Sequence, residues 1–337
     1  MTLTPTELRL SVALCCHNSE KRLPTTLSHL AQQEGMPVDL WEVLIIDNAS
    51  SDQTSAVARK VWKKEAEGRG LKEVNFRIVR ESRQGLSHAR ARAFKEAKGD
   101  VVCFLDDDNW VSSHWLRKVR EIFLQYPDVA AAGGPITEVL EQDPPPDWFE
   151  EFKGNFTIWN PRDSSGYWNQ PLCGAGLCVR RSAWERLEAR GFRFMLSDRQ
   201  GNNLSSGGDF ELCYALMLSG WRLWYDPGLH IQHWMPQERI QWTHLKRLRR
   251  GFGAQSVVFD AYKSSSPPSW MKEVLLSAKA LLSTLARSMF SAEGRRARVL
   301  FSESQIGRIH SLLKERSNYK RRFERLQSAP WRTTDLT

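Results

Sequence analysis

The sequence predicts an α/β fold in which helices flank a mostly parallel sheet. Two observations support this class: short apolar runs alternate with helical stretches between residues 10 and 105, and each apolar run ends in polar residues. At 337 residues, with 41% hydrophobic and 26% charged side chains, the chain has the composition of a globular protein with one large core.

The predicted elements alternate regularly up to residue 105. Continuous runs of Val, Ile and Leu are typical of buried parallel strands, and we expect strands at residues 10–14, 41–46, 76–79 and 101–105. Apolar residues at helical spacing predict helices between them, at residues 24–33, 53–67 and 85–98. Sheets of this kind bind ligands at the carboxyl ends of their strands.

The pattern changes after residue 130. Residues 143–147 (DPPPD) are predicted as a stiff linker, and the stretch after them up to residue 170, rich in Gly, Trp and Asn, is predicted as loop. Residues 171–179 are predicted as a strand whose glycines let a ligand approach the backbone closely. We then expect a helix at 182–189 capped by Ser182, a helix at 208–218 and a strand at 221–225.

The excess of positive over negative charge lies entirely in the last hundred residues. From Glu238 onward there are 20 basic and 8 acidic side chains, a net charge of +12, whereas residues 1–237 carry −3. Such a segment can contact anionic lipids or nucleic acid, or increase solubility. Residues 271–290 show helical apolar spacing with interspersed Lys272, Lys279 and Arg287, so this helix either docks on the core or lies on a membrane.

The cysteines and the N-terminal sequence indicate an intracellular environment. The six cysteines form no CxxC pair, so we expect reduced thiols and no zinc site. No basic region followed by an apolar stretch opens the sequence, and no run of 18 apolar residues occurs. We therefore expect neither a secretory signal nor a membrane span.

Three consecutive aspartates, Asp106, Asp107 and Asp108, follow the apolar run at 101–105. Like charges this close repel unless a cation intervenes. If the chain stays extended, Asp106 and Asp108 point to the same side, which suits a divalent cation bound to a diphosphate. The alternative is an acidic turn before a helix N-terminus, where Asp is common.

A series of segments resembles family 2 glycosyltransferases of the GT-A fold. In chain order these segments are Cys16-His17-Asn18, Ile46 to Thr54, Gly85 to Arg90, Phe104 to Asn109, Gly174-Ala175-Gly176, Gly208 to Leu212, and Tyr225-Asp226-Pro227 with His233. The resemblance extends over about residues 9–255. It implies a catalytic domain at residues 1–255 and a basic, largely helical extension at 256–337.

The resemblance also implies a donor site. The first two loops would hold the nucleotide through Cys16, Asn18, Asp47 and Ser50, with Asp47 against the base and Arg90 near the diphosphate or uracil. Asp106, Asp107, Gly174 and Glu211 would complete the donor site. Asp108 would bind a divalent ion, Mn²⁺ or Mg²⁺, and His233 would be a further contact to metal or diphosphate.

Asp209 matches the general base of inverting members of this family. Gly208 stands where the family usually has Glu, and Glu211 is the alternative partner. Simpler interpretations exist for each candidate: Asp209 suits the first turn of any helix, and His233 could be a packed histidine. Asp47 could simply form a turn at the end of a strand, and Arg90 could lie on a solvated helix face.

The expected activity is transfer of a sugar from a nucleoside-diphosphate sugar, with UDP as the expected nucleotide, to an acceptor hydroxyl with inversion. The setting would be synthesis of a cell-surface polysaccharide or glycolipid. A metal-dependent nucleotidyltransferase is the first alternative, although Cys16-His17-Asn18-Ser19 does not resemble the glycine-rich loop of such enzymes. A non-catalytic carbohydrate-binding protein is the second.

The acceptor would be a carbohydrate or a lipid-linked sugar, and we expect no nucleic-acid partner. The aromatic-rich region 148–168 is the candidate acceptor side, because tryptophan rings stack on sugars. We expect a cytoplasmic protein, with peripheral contact to the inner face of the plasma membrane through the basic C-terminal helices as an open alternative.

Overall fold

The apolar runs up to residue 105 form the parallel half of an eight-stranded sheet. The computed structural model describes residues 7–196, 207–264, 266, 268–290 and 294–333. The strands are β1 (Leu10–Cys16), β2 (Trp41–Asn48), β3 (Asn75–Glu81), β4 (Val101–Leu105), β5 (Asn109–Val111), β6 (Val129–Gly133), β7 (Ile136–Leu140), β8 (Gly166–Trp168), β9 (Cys178–Arg180), β10 (Arg222–Tyr225) and β11 (Ile231–Met235).

The helices cover both faces of this sheet and continue into the C-terminal region. They are α1 (Leu23–Leu30), α2 (Thr54–Arg69), α3 (Leu86–Glu96), α4 (Trp115–Gln125), α5 (Phe149–Phe152), α6 (Arg181–Ala189), α7 (Gly208–Leu218), α8 (Trp242–Lys263), α9 (Trp270–Phe290), α10 (Arg295–Lys314) and α11 (Tyr319–Gln327). The predictions for β1 to β4, α1 to α3 and α7 are confirmed to within a few residues at their ends.

The strand order explains where a crevice opens. The order is β3-β2-β1-β4-β9-β6-β10-β8. Strands β3, β2, β1 and β4 are mutually parallel, whereas β9 pairs antiparallel with both β4 and β6. Because the chain adds strands on one side of β1 and then on the other, the loops after β1 and β4 diverge at the carboxyl edge.

Side chains along the central strands point alternately to the two faces of the sheet and pack into two separate apolar layers. Val12 and Leu14 of β1 belong to the cluster that packs against α1, α2 and α4. Ala13 belongs to the cluster that includes residues of α3, α6 and α7. Both layers are fully buried along β1, which is why the sequence reads as a continuous apolar run.

A second, three-stranded sheet was not predicted. Its order is β5-β11-β7, with β11 antiparallel to β5 and parallel to β7. In this register His233 pairs with Asn109, the residue that follows the acidic cluster. The small sheet therefore brings His233 to the end of β4 across more than a hundred residues of chain.

Three local predictions were wrong. Within residues 171–179, only Cys178 and Val179 lie in a strand, because the backbone at Gly174–Leu177 turns and Gly176 has a positive φ of 73°. Ser182 lies inside α6, whose cap position is Arg180, and it provides no side-chain cap. The stretch between the linker and residue 170 is not all loop, since it contains α5 and β8.

The C-terminal helices pack directly on the α/β part of the chain. Helix α8 runs without a break through position 255, and Val258 and Tyr262 belong to the same apolar cluster as α6 and α7. Helices α8 and α10 touch backbone to backbone: a Cβ at Gly253 would overlap the carbonyl of Ser304, and a Cβ at Gly307 would overlap that of Arg250. Among the described residues, no helix has the length and apolar character needed to cross a bilayer.

Candidate functional site

The loops after β1 and β2 interlock through side chains at their tips. Asn18 Oδ1 accepts a hydrogen bond from the Ser51 amide at 2.9 Å, and the Asn18 amide donates to Ser50 Oγ at 3.1 Å. Asn18 and Ala49 both have positive φ values, 50° and 54°. These contacts hold two of the predicted nucleotide-binding residues, Asn18 and Ser50, against each other at the carboxyl edge.

Asp47 is held rigidly at the end of β2. Ser55 Oγ donates to its Oδ2 at 2.6 Å and the Ser50 amide donates to its Oδ1 at 3.1 Å. Burial acts to raise the pKa of Asp47, but the hydrogen bonds from Ser55 and Ser50 outweigh it and keep the pKa below its ordinary value. Asp47 is therefore an ionised carboxylate with a defined orientation.

The side chain of Cys16 is not at the site, which corrects one sequence-based expectation. Cys16 is fully buried in the apolar layer below the sheet, because side chains alternate along β1. Its neighbour Cys15 faces the other layer, near Arg90 and Asp106, and burial raises its pKa to about 12. Only the backbone of Cys16 remains available to a ligand.

The acidic cluster is a turn and not an extended strand. The Asn109 amide donates to the Asp106 carbonyl at 3.2 Å, and Asn109 Oδ1 accepts from the Asp106 amide at 3.0 Å. Asp107 turns inward, where Arg22 donates to both of its carboxylate oxygens at 3.1 and 2.7 Å. The carboxylate of Asp107, expected to bind the donor, is thus engaged in a two-point clamp that attaches α1 to the turn.

Asp108, His233 and Arg239 form the second charged group at this turn. Arg239 Nη1 donates to Asp108 Oδ2 at 2.9 Å and lies 3.2 Å from His233 Nε2. His233 Nε2 lies 3.7 Å from Asp108 Oδ1. Burial opposes the charge on Asp108, but His233 and Arg239 hold its pKa far below the ordinary value.

These residues fit a divalent ion that is shared with a substrate. Asp108 is ionised and buried, and the buried Nδ1 of His233 has no hydrogen-bond partner among the described residues. No group of three or more His, Cys, Asp or Glu side chains that could hold a metal occurs in the described part of the chain. Because Mg²⁺ is commonly held by one or two carboxylates plus phosphates, the remaining ligands would come from a bound diphosphate.

Arg90, Gly174 and Asp209 converge from three different segments. A Cβ at Gly174 would lie 2.6 Å from Arg90 Nη2 and 2.7 Å from Asp209 Oδ2. Glycine at position 174 is therefore what allows the guanidinium and the carboxylate to approach the same backbone. Asp209 is half-buried in the first turn of α7, and Arg90 is buried in α3 with its guanidinium 6.0 Å from the Phe104 ring.

Glu211 lies on the inner side of α7, away from solvent. It is fully buried, and its carboxylate accepts hydrogen bonds from the amides of Met195 and Leu196 at 2.7 and 3.0 Å and from Tyr262 Oη at 2.7 Å. These donors already occupy both carboxylate oxygens. In this structure Glu211 links α7 to α8 and to the chain after α6.

The aromatic region 148–168 divides into two parts, which corrects the expectation of one sugar-stacking surface. Trp148, Phe149 and Phe156 are buried and pack on one another, with Trp242 of α8 beside Trp148. These aromatics are core residues. Trp159 and Trp168 are only half-buried and contact each other at a centroid distance of 5.4 Å.

Several residues that shape the site were not predicted from the sequence. Asn48 accepts from the Gly85 amide at 2.8 Å and donates to the Arg83 carbonyl at 2.7 Å, which ties the loop before α3 to β2. Arg22 and Arg239 balance the charges of Asp107 and Asp108. A useful signal was present, because adjacent carboxylates require nearby cations.

Comparisons with known proteins agree with this architecture. Residues 11–186 match the model of glycosyl transferase family 2, and residues 101–292 match that of glycosyl transferase family group 2. The succinoglycan biosynthesis protein ExoM of Rhizobium meliloti is 26% identical over 252 residues, which cover 72% of this chain and 73% of ExoM. The poly(ribitol-phosphate) beta-N-acetylglucosaminyltransferase TarS of Staphylococcus aureus is 29% identical over 112 residues, which are 33% of this chain and only 18% of TarS.

Two solved structures show the same fold. The mannosyltransferase PcManGT of Pyrobaculum calidifontis, in complex with GDP-Man and Mn²⁺, has a TM-score of 0.59 at 18% identity, covering 92% of this chain and 89% of that one. GalNAc-T7, with UDP, GalNAc and Mn²⁺, has a TM-score of 0.53 at 16% identity, covering 93% and 57%. The predicted GT-A fold is confirmed, and since the first family model matches more than half of its residues, the chain belongs to glycosyl transferase family 2.

Proposed function

We propose that this chain transfers a sugar from a nucleoside-diphosphate sugar to an acceptor hydroxyl, with inversion and with UDP as the expected nucleotide. The observation that supports this most strongly is the approach of Arg90 and Asp209 to Gly174, at the end of the sheet where the acidic turn also lies. A cationic group and a half-buried carboxylate are thereby presented to one small region, as transfer with a charged leaving group requires.

In this proposal the loops after β1 and β2 hold the nucleotide through Asn18, Asp47, Ser50 and the backbone of Cys16. The acceptor oxygen forms a bond to the anomeric carbon while its proton passes to the Asp209 carboxylate. The bond between that carbon and the diphosphate oxygen breaks, and its electron pair leaves with the nucleoside diphosphate. Asp106 and Arg90 orient the diphosphate.

Asp108 and His233 would hold a divalent ion, Mn²⁺ or Mg²⁺. When bound, this ion would offset the negative charge that builds up on the departing diphosphate. Arg239 supplies the positive charge next to Asp108 in the structure described here. It would have to move for the ion to reach that carboxylate.

The proposal divides the chain into a catalytic part, residues 1–255, and a supporting extension, residues 256–337. On helix α9 of the extension, Ser277 and Thr284 are buried, whereas an apolar stripe on the other side faces solvent: Met271, Leu275 and Leu282 are 61%, 63% and 67% exposed. Lys272 and Lys279 lie on the same exposed helix. An apolar stripe with basic neighbours is suited to the surface of an anionic membrane.

This arrangement favours a cytoplasmic enzyme that contacts the inner face of the plasma membrane and acts on a carbohydrate or lipid-linked acceptor, in polysaccharide or glycolipid synthesis. Flotation with anionic vesicles at low salt tests the contact. The intact protein should float, and the double substitution Leu275→Ser with Leu282→Ser should reduce flotation severalfold. An intact protein that stays in solution would refute membrane contact.

Product analysis tests the activity itself. The protein is incubated with a panel of nucleoside-diphosphate sugars, Mn²⁺ and sugar acceptors, and the released nucleotide is identified. Sugar transfer releases a nucleoside diphosphate, whereas nucleotidyl transfer would release pyrophosphate. If no donor of a broad panel is turned over, the enzymatic proposal fails and a binding function becomes the better explanation.

A further inference from the structure

A cavity of about 580 Å³ lies between helix α11 and the segment 190–195, and it shares no lining residue with the candidate donor site. This volume is within the range of cavities that bind small molecules, about 300–1,000 Å³. Among the described residues, the charged side chains that line it are Arg190, Arg193, Arg321, Arg322, Arg325 and Glu315.

The charges of this cavity are not balanced by protein groups in the described part of the chain. Glu315 pairs with Arg322 Nη2 at 2.7 Å. The other terminal nitrogen, Arg322 Nη1, is buried and has no hydrogen-bond partner there. Arg321 and Arg325 lie one turn apart on α11, and both side chains are exposed. Among the described residues, no side chain pairs with either guanidinium. Clustered like charges repel, and an anion would relieve that repulsion.

The rest of the lining is apolar. Phe194, Met195, Leu326 and Trp331 form this part of the wall. The cavity therefore combines guanidinium groups, which bind phosphate oxygens in pairs, with a surface for a hydrophobic or ring-shaped group. An inorganic ion alone would leave this apolar wall unused.

The cavity is linked to the helix that bears Asp209. Met195 and Tyr262 both line it, and both donate hydrogen bonds to Glu211, two residues after Asp209 on α7. A ligand in the cavity would contact the residues that hold Glu211. Occupancy would thus act on the position of α7.

We propose that this cavity binds an organic phosphate, with the phosphoryl group on the arginines of α11 and the apolar portion against Phe194 and Trp331. The cavity shares no lining residue with the proposed donor site, so this proposal goes beyond the proposed sugar transfer and does not depend on it. A lipid phosphate and a soluble phosphate ester offer the same chemistry, so the experiment has one arm for each source.

The first arm titrates the full chain with 1-naphthyl phosphate in excess chelator, which removes any metal-dependent binding at the donor site. We expect saturable binding that the double substitution Arg321→Gln with Arg325→Gln weakens at least about tenfold, because two charge-assisted contacts are lost. The control is Lys320→Gln, which removes one exposed charge from the same helix outside the cavity. Equal affinities of wild type and double variant, or no binding by wild type, would overturn the proposal.

The second arm measures sedimentation with vesicles that contain phosphatidic acid. Weaker binding by the double variant than by Lys320→Gln would identify a lipid phosphate as a ligand, and equal binding would assign the cavity to soluble phosphate esters. Melting temperatures of the variants should match wild type, because both arginines are exposed. Neither titration depends on sugar transfer, so failure of the proposed activity would be seen separately in the product analysis.

Discussion

Replacing Arg239 with Gln should tighten the binding of a divalent ion. The guanidinium lies between the two candidate metal-binding side chains, 2.9 Å from Asp108 Oδ2 and 3.2 Å from His233 Nε2. If a metal ion binds at Asp108 as proposed, Arg239 and the ion would therefore compete for the same carboxylate. An ion that binds to the wild-type protein must first break this contact.

The structure gives the size of the effect. A hydrogen bond to a charged group contributes about 1.5–3 kcal/mol. Because the Arg239 side chain is 30% exposed while that of Asp108 is only 4% exposed, solvent weakens the pair and the lower end applies. A difference of about 1.4 kcal/mol corresponds to a tenfold change in dissociation constant, so Arg239→Gln should bind Mn²⁺ about tenfold more tightly.

Isothermal titration with Mn²⁺ at pH 7.5, without nucleotide, measures this directly. Arg247→Gln is the matched control, because it removes the same charge from an exposed position of α8. The control should bind Mn²⁺ like wild type. If Arg239→Gln shows unchanged or weaker affinity, then Arg239 does not compete with the ion, or the ion does not bind at Asp108.

Three further predictions concern backbone fit and charge. Gly174→Ala should lower turnover at least about tenfold, because the new methyl group displaces the Arg90 guanidinium and the Asp209 carboxylate. Gly133→Ala is the control, because a Cβ there would meet only ordinary contacts at 3.6 Å or more, and it should have a much smaller effect in the same assay. In urea denaturation, Gly253→Ala should destabilise the protein by about 1–3 kcal/mol through overlap with the α10 backbone, whereas Gly68→Ala, with open space around it, should stabilise it by about 0.5–1 kcal/mol. The pKa of Asp47 is lower in the folded state than in the unfolded state, so its ionisation stabilises the fold above the unfolded pKa of about 3.9. This contribution is lost as pH falls through the folded pKa. The stability difference between wild type and Asp47→Asn should therefore shrink below about pH 4, and a difference that grows there would contradict this sign.

The parallel part of the sheet could be predicted because its signal is local. Strands β1, β2 and β4 are buried on both faces, so each appears as an unbroken apolar run followed by polar residues. Strands β5 and β8 have only three residues each, and β6 is mostly alanine, so their pairing depends on partners far away in the chain. Periodicity within a short window contains no information about such partners.

The acidic residues of the candidate site could be predicted from the sequence, but the basic residues beside them could not. Asp108 and Asp209 stand out in the sequence, whereas Arg239 is one of twenty basic residues after Glu238 and is distinguished only by the register of the small sheet. The extended geometry considered for Asp106 and Asp108 was wrong, because a turn stabilised by Asn109 replaces the extended chain. Helical spacing found α9 correctly, yet it could not show that the apolar stripe faces outward.

In the proposed mechanism Asp209 removes the acceptor proton, while other residues bind the donor. The most direct measurement compares Asp209→Asn with wild type for two quantities, the rate of sugar transfer and the affinity for UDP with Mn²⁺. We predict that transfer falls by about 10²–10⁴-fold, the usual contribution of a general base, while nucleotide affinity changes less than about twofold. Wild-type turnover by Asp209→Asn would contradict the claim.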